Sequence, residues 1–335
     1  MPIFDSRQRP LRDLRISVTD RCNFRCTYCM PREIFGPDHA FLQRDELLSY
    51  EEIARLARIF VAHGVEKIRL TGGEPLVRRD LHQLVAQLRS IPGLKDLTLT
   101  TNGSLLKSQA QRLKDSGLER ITISLDSLDD AVFQSMNDVG VPVSVVLEGI
   151  NAAVAAGLAP IKINAVVKKG VNDHTIVDLA RYFKGSGHIV RFIEFMDVGA
   201  TNGWRMDHVV TGREIVALIN AEMPIEPVDS NYLGEVAQRW RYTDGSGEIG
   251  VITSISEPFC GDCTRARLSP EGALFTCLFG VKGHDFRALL RSAKSDDEIS
   301  VFLETVWRVR DDRYSEVRSD DTIGLRKVEM SHIGG

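Results

Sequence analysis

Between residue 11 and about residue 220 the chain repeats one pattern, a short β-like run followed by an amphipathic helix-like one. The strand candidates are LRISV, KIRLTG, LTLTT, RITISLD, IKINAVV and VRFIEFM. Apolar residues recur at helical spacing over 50–63, 81–90, 105–116, 145–156 and 175–183. Strand–helix alternation on short connections favours a mostly parallel sheet. Six such units, with no dinucleotide fingerprint, predict an α/β fold, an incomplete (βα)6 TIM-like barrel. An open doubly wound sheet is the alternative. Near residue 221 the pattern breaks: Pro224, Pro227 and a polar stretch over 229–234 lead into a region with short strands at 240–242 and 249–252 and helices at 286–293 and 297–309. The expected division is 1–220 and 221–335.

The cysteines fall into two triplets. Cys22, Cys26 and Cys29 are spaced C-x3-C-x2-C; Cys260, Cys263 and Cys277 are spaced C-x2-C-x13-C. The N-terminal MPIFDSRQRPLRDLRIS lacks the apolar run of a signal peptide. A cytoplasmic setting is therefore expected, where thiols stay free and such spacings imply metal rather than disulfides. Three thiolates can wrap one face of an iron–sulfur cluster and leave one iron open. Zinc normally takes four closed ligands; the first triplet would need a distant fourth, His39 lying ten residues past Cys29, and the second would take His284.

Arg15, Lys67, Arg69, Lys162 and Arg191 all fall inside strand candidates. Helices cover the outer face of a barrel, so such cations point inward or to the rim. An unpaired buried charge costs several kcal/mol. Either carboxylates such as Asp126 and Glu194 neutralise them, or an anionic ligand does. Arg265 and Arg267, just after the later cysteines, share a face if extended. Overall charge gives no independent pointer to a polyanion, being −4. Neither nucleic acid nor a membrane is expected as a partner.

Cys22-Asn-Phe-Arg-Cys26-Thr-Tyr28-Cys29, placed after a first strand, resembles the signature of the radical S-adenosylmethionine (SAM) superfamily. The segments DLRISVTDRCNFRCTYCMP, IRLTGGEPLVRRDL, LTTNG, ISLDSLD, RFIEFMDVG and FCGDCTRARLSPEG, with Gly334–Gly335 at the end, resemble the GTP 3′,8-cyclase family of molybdenum cofactor biosynthesis. The resemblance implies two [4Fe-4S] clusters, on Cys22, Cys26 and Cys29 and on Cys260, Cys263 and Cys277. It implies SAM contacts at Tyr28, Gly73, Ser124 and Met196. It implies GTP contacts at Arg15, Arg69, Thr100, Lys162, Arg265 and Arg267, with Lys67 and Arg191 as weaker additions. The implied activity is a lyase reaction that converts GTP to (8S)-3′,8-cyclo-7,8-dihydroguanosine 5′-triphosphate. A flavodoxin- or ferredoxin-like electron donor, hand-off to cyclic pyranopterin synthase and a homodimer are further implications, and the Gly-Gly tail is expected to reach the active site. Residues 137–144, NDVGVPVS, lack the basic residue expected there. Another radical SAM enzyme, such as a peptide-modifying maturase, and a zinc-stabilised scaffold are the rival readings.

Overall fold

The computed structural model describes residues 2–318 and 327–334. Six strands form where the sequence places them: β1 (Asp13–Ser17), β2 (Lys67–Thr71), β3 (Asp96–Thr101), β4 (Arg120–Ser124), β5 (Lys162–Val167) and β6 (Ile189–Glu194). They lie side by side in chain order, each parallel to the next. A doubly wound sheet would reverse its order at a switch point. This one does not, so right-handed crossovers carry every connecting helix to the same face. The strand order is that of an incomplete barrel.

Helices α1 (Tyr50–Ala62), α2 (Leu81–Arg89), α3 (Ala110–Asp115), α4 (Asp130–Asn137), α5 (Val143–Ala155) and α6 (Ile176–Phe183) connect these strands. In α1, Ser49 and Glu52 form a reciprocal capping box that satisfies the first free N–H groups. Its Ile53, Leu56, Ala57 and Phe60 recur at helical spacing and are buried in the same core as Leu14, Ile16, Ile68 and Leu70 of the strands. Burying each of the larger ones contributes about 1.5–3 kcal/mol. The expected helix at 105–116 is instead a 3₁₀ turn, Leu106–Ser108, followed by α3. Helices α4 and α7 (Gly212–Glu222) were not expected.

After residue 220 the chain does not build a separate sheet. β7 (Ile225–Val228), β8 (Gln238–Tyr242) and β9 (Glu248–Ile252) form an antiparallel meander whose β9 joins β6 in parallel. β10 (Arg265–Leu268) joins β1 in parallel at the opposite edge, with β11 (Ala273–Phe275) and β12 (His284–Asp285) beyond it. Strands from both sides of residue 220 thus make one twelve-stranded sheet. Pro227 lies on the outermost strand, where its missing N–H breaks no ladder. Helices α8 (Phe286–Arg291) and α9 (Asp296–Arg308) follow. Among the described residues no helix is long and apolar enough to cross a membrane.

Candidate active site

Strand alternation sends Leu14, Ile16, Ile68 and Leu70 outward to the helices and turns Arg15 and Arg69 to the opposite face. Register then aligns charges that are distant in sequence. Arg267 of β10 pairs with Arg15 of β1, and Arg15 pairs with Arg69 of β2. Three arginines so stand abreast on three neighbouring strands. In the next row Arg265, Asp13, Lys67 and Asp96 alternate in sign. There Lys67 Nζ lies 3.5 Å from Asp13 and 3.9 Å from Asp96. The alternating row is largely self-neutralised, whereas the arginine row has no ion-pair partner among the described residues. Two unit charges one strand spacing apart repel by roughly 3 kcal/mol at an effective dielectric of 20.

Among the described residues, hydroxyls and an amide steer these cations without neutralising them. Arg69 Nη1 donates to Thr100 Oγ1 at 2.8 Å and to Thr122 Oγ1 at 3.1 Å. Arg191 Nε donates to Asn164 Oδ1 at 2.9 Å. The Nε atoms of Arg15 and Arg69 are buried with no acceptor among the described residues. Burial, then repulsion from Arg267, holds Arg15 well below the ordinary arginine range. Burial, then Arg265, brings Arg267 to about 10; burial, then Arg69, brings Arg191 to about 9. Burial, then Arg191, brings Lys162, the first residue of β5, to about 7. The carboxylates expected as partners are engaged elsewhere. Asp126 accepts from Tyr28 Oη at 2.8 Å and from the Val166 N–H at 2.9 Å. Glu194 accepts from the N–H groups of Gly212, Ile255 and Ser256 at 2.7–2.9 Å. The inner face is therefore a set of cations arranged for an anion.

The first triplet follows β1 in a loop held from several sides. Arg25 donates through Nη1 to Cys22 O at 2.8 Å and through Nε to Phe35 O at 2.6 Å. The N–H groups of Arg25 and Thr27 donate to the last carbonyls of α4, those of Asn137 and Met136. Segment 137–144 thus begins by gripping the cysteine loop. On the opposite side, Gly72–Gly73 press against residues 19–21. The Gly73 N–H donates to Thr19 O and the Glu74 N–H to Arg21 O, both at 2.8 Å. Glu74 ties this junction to the end of β3, accepting from Thr101 Oγ1 and the Asn102 N–H, both at 2.7 Å. Burial lifts its carboxyl to about 7. Burial also raises the thiols of Cys22, Cys26 and Cys29.

Cys260 and Cys263 of the second triplet lie between β9 and β10, and Cys277 follows β11. Arg265 Nη2 donates to Cys263 Sγ at 3.2 Å, and its guanidinium lies 5.1 Å over the Phe259 ring. Burial alone would raise the Cys263 thiol, but Arg265 and Arg310 outweigh it and bring it to about 6. All six cysteines are free and half-buried. Among the described residues no three His, Cys, Asp or Glu side chains converge as one ion would require. His39 packs between Phe35 and Phe41 with ring centroids 4.6 Å from each, and His284 faces Phe302. Neither completes a zinc site. Each triplet offers soft thiols, the donor type that an iron–sulfur cluster takes.

One cavity gathers most of these groups. It is lined by Tyr28 on the side of the first triplet, by Arg15, Arg69, Thr100 and Arg191 along the sheet, by Met196, which packs against the Ile193, Ala237 and Ile252 cluster, and by Cys260, Cys263, Cys277, Arg265 and Arg267 on the other side. Gly73, Ser124, Lys67 and Lys162 do not line it. Ser124 ends β4 in register with the cavity residue Asn164, and Lys162 begins β5 one strand from Thr122. Of the tail, Arg267 Nη1 donates to the Gly334 carbonyl, and Gly334 packs on Thr71 without room for a Cβ. Gly335 lies outside the described residues.

Residues 16–183 match the radical SAM superfamily, and residues 188–316 match the family described as Molybdenum Cofactor Synthesis C. A GTP 3′,8-cyclase from Acidothermus cellulolyticus is 54% identical, over 100% of this chain and 99% of that protein. One from Staphylococcus carnosus is 51% identical over 99% of each chain. This chain belongs to the GTP 3′,8-cyclase family. Among solved structures, Streptococcus suis SuiB bound to S-adenosylmethionine superposes with a TM-score of 0.64 at 16% identity, covering 93% of this chain and 69% of that one. At that identity the likeness is one of fold.

In this GTP 3′,8-cyclase family member, Asn164, Thr122 and Asp13 escaped the sequence, and Asp126 was expected against a cation instead. Asn164 and Thr122 orient Arg191 and Arg69; Asp126 holds the Tyr28 hydroxyl; Asp13 offsets Lys67. A polar residue at every second position of a strand candidate marks the inner face. It does not say which of those residues meet.

Proposed function

We propose that the protein is a radical SAM GTP 3′,8-cyclase, a lyase that makes (8S)-3′,8-cyclo-7,8-dihydroguanosine 5′-triphosphate in the first step of molybdenum cofactor biosynthesis. The observation that carries this reading is that one cavity joins the Tyr28 side of the first triplet to the second triplet across a surplus of cations. When bound, a [4Fe-4S] cluster on Cys22, Cys26 and Cys29 with SAM would supply a 5′-deoxyadenosyl radical, and a second cluster on Cys260, Cys263 and Cys277 an open iron for the guanine. The chain's own residues do the positioning. Tyr28, Gly73, Ser124 and Met196 bind SAM. Arg15, Arg69, Lys162, Arg265 and Arg267 hold the triphosphate, with Thr100 fixing the Arg69 guanidinium; Lys67 is largely offset by its carboxylates. The apolar walls Ile193, Phe195, Val198 and Ile252 keep water from the reacting carbon. A flavodoxin- or ferredoxin-like protein supplies electrons, and the product passes to cyclic pyranopterin synthase in the cytoplasm.

Anaerobically reconstituted protein given SAM, reductant and GTP is expected to form both 5′-deoxyadenosine and the cyclised nucleotide, read by mass spectrometry. Absence of both overturns the assignment. Cys22→Ser should abolish SAM cleavage, while Cys260→Ser should keep uncoupled cleavage and lose cyclisation. Equal loss of both activities in Cys260→Ser would refute the division of labour.

A further inference from the structure

Behind the second triplet lies a buried ion group that the reaction does not touch. Asp5, Arg9 and Arg310 are only 2%, 2% and 4% exposed. Arg9 Nε donates to Asp5 Oδ2 at 2.6 Å, and Arg310 Nη1 donates to the same oxygen at 2.8 Å. Asp5 Oδ1 accepts from the N–H groups of Arg7 and Arg9, both at 2.9 Å. One carboxylate so fixes two guanidiniums. Trp307 backs them: its Nε1 donates to Arg9 O at 3.2 Å, and its ring lies 4.6 Å from the Arg310 guanidinium.

Further donor contacts of both arginines reach the cysteine loops. Arg9 Nη1 donates to Cys260 O at 2.8 Å. Arg310 Nη1 donates to Cys263 O at 2.9 Å, and Arg310 Nε donates to Thr276 O, the residue before Cys277, at 3.1 Å. Every cysteine-bearing segment of the triplet therefore receives a guanidinium donor. Within segment 259–264 the short 3₁₀ turn Cys260–Asp262 gives Cys260 O one donor, the Cys263 N–H at 3.2 Å, to which Arg9 adds a second, while Cys263 O takes its donor from Arg310.

We propose that Asp5, Arg9 and Arg310 are positioning residues that set the backbone of the second cysteine triplet for its cluster. This rests on Cys260, Cys263 and Cys277 being cluster ligands. A buried ion group is a weak source of stability compared with apolar packing of the same volume. What it supplies here is direction. A planar guanidinium reaches a carboxylate and separate carbonyls at once from one rigid fork, which an ammonium cannot do. Residues from both ends of the chain thereby fix where three sulfurs point.

The test uses the full chain carrying Cys22→Ser, Cys26→Ser and Cys29→Ser, so that all cluster iron belongs to the second triplet. Arg9→Lys and Arg310→Lys keep the charge and remove the fork. Iron and sulfide are measured per chain after anaerobic loading and a timed EDTA challenge. Circular dichroism and the melting temperature of the metal-free forms report folding, and the electron paramagnetic resonance spectrum of the reduced cluster is recorded with and without GTP. Expected are a parent-like fold, about tenfold or more faster loss of iron, the scale of lost supporting contacts around metal ligands, and an altered spectrum. Arg7→Ala, which removes only the half-exposed pair with Asp311 at 3.2 Å, should retain iron like the parent. Parent-like iron retention and spectrum in both lysine variants overturn the proposal. So does failure of both to fold, which would assign the group to stability instead. If the parent itself takes up no iron, the cluster assignment fails and this inference with it.

Discussion

Lys162 shows what a single residue would contribute to the proposed triphosphate site. Burial and the neighbouring Arg191, Arg120 and Lys67 depress its amine to about 7. A bound triphosphate favours the charged form, so the pKa rises on binding and a proton is taken up. Affinity for GTP is then expected to fall as pH rises above about 7, up to the higher pKa of the complex. Lys162→Met should weaken binding at pH 6.5 by about ten- to a hundredfold, the scale of one charged hydrogen bond, and should flatten the profile between pH 6.5 and 9. Isothermal titration calorimetry checks both; equal slopes for variant and parent would refute the role. Lys162 and the other strand cations were legible in the sequence as residues that need an anion. Their partners were not, because Arg15, Arg69 and Arg267 become neighbours only through strand register.

At the scale of elements, the cysteine loop is shaped by what presses on it. A Cβ on Gly73 would stand 2.4 Å from Arg21 O and 2.6 Å from Arg21 C, backbone atoms that cannot swing aside. Gly73→Ala should therefore displace the loop before Cys22. About 1–3 kcal/mol of stability should be lost, measured by denaturant unfolding, together with iron at the first triplet. Full stability with full iron would show that the contact yields freely. Helix α7 was missed although Thr211-Gly-Arg-Glu214 spells a capping box, which the structure forms. Its glycine at the first helical position masked the signal. That glycine has a reason: its N–H donates to Glu194, and a Cβ there would meet Thr253 at 2.4 Å.

At the scale of the molecule, the C-terminal third closes both edges of the six-stranded core. β9 covers β6 and β10 covers β1. A chain stopped at residue 220 would expose two parallel edges rich in unpaired backbone groups. It is expected to be insoluble or to melt without a cooperative transition in calorimetry. A soluble, cooperatively melting fragment would show that the first 220 residues fold alone. The change of pattern near residue 221 was visible in the sequence, but not that the later strands split between opposite edges. Strand pairing across more than 200 residues leaves no local trace, since any strand can satisfy an open edge.

By itself the sequence determined the six βα units, the two cysteine triplets and the presence of cations within strands, because periodicity, thiol spacing and the cost of buried charge are local properties of the chain. Only the tertiary structure decided that three arginines stand abreast, that Asp126 and Glu194 spend their oxygens elsewhere, and that Tyr28 of the first triplet's loop lines one cavity with the second triplet. Those facts depend on register and on which backbone donors each carboxylate meets, and both are set when the sheet assembles.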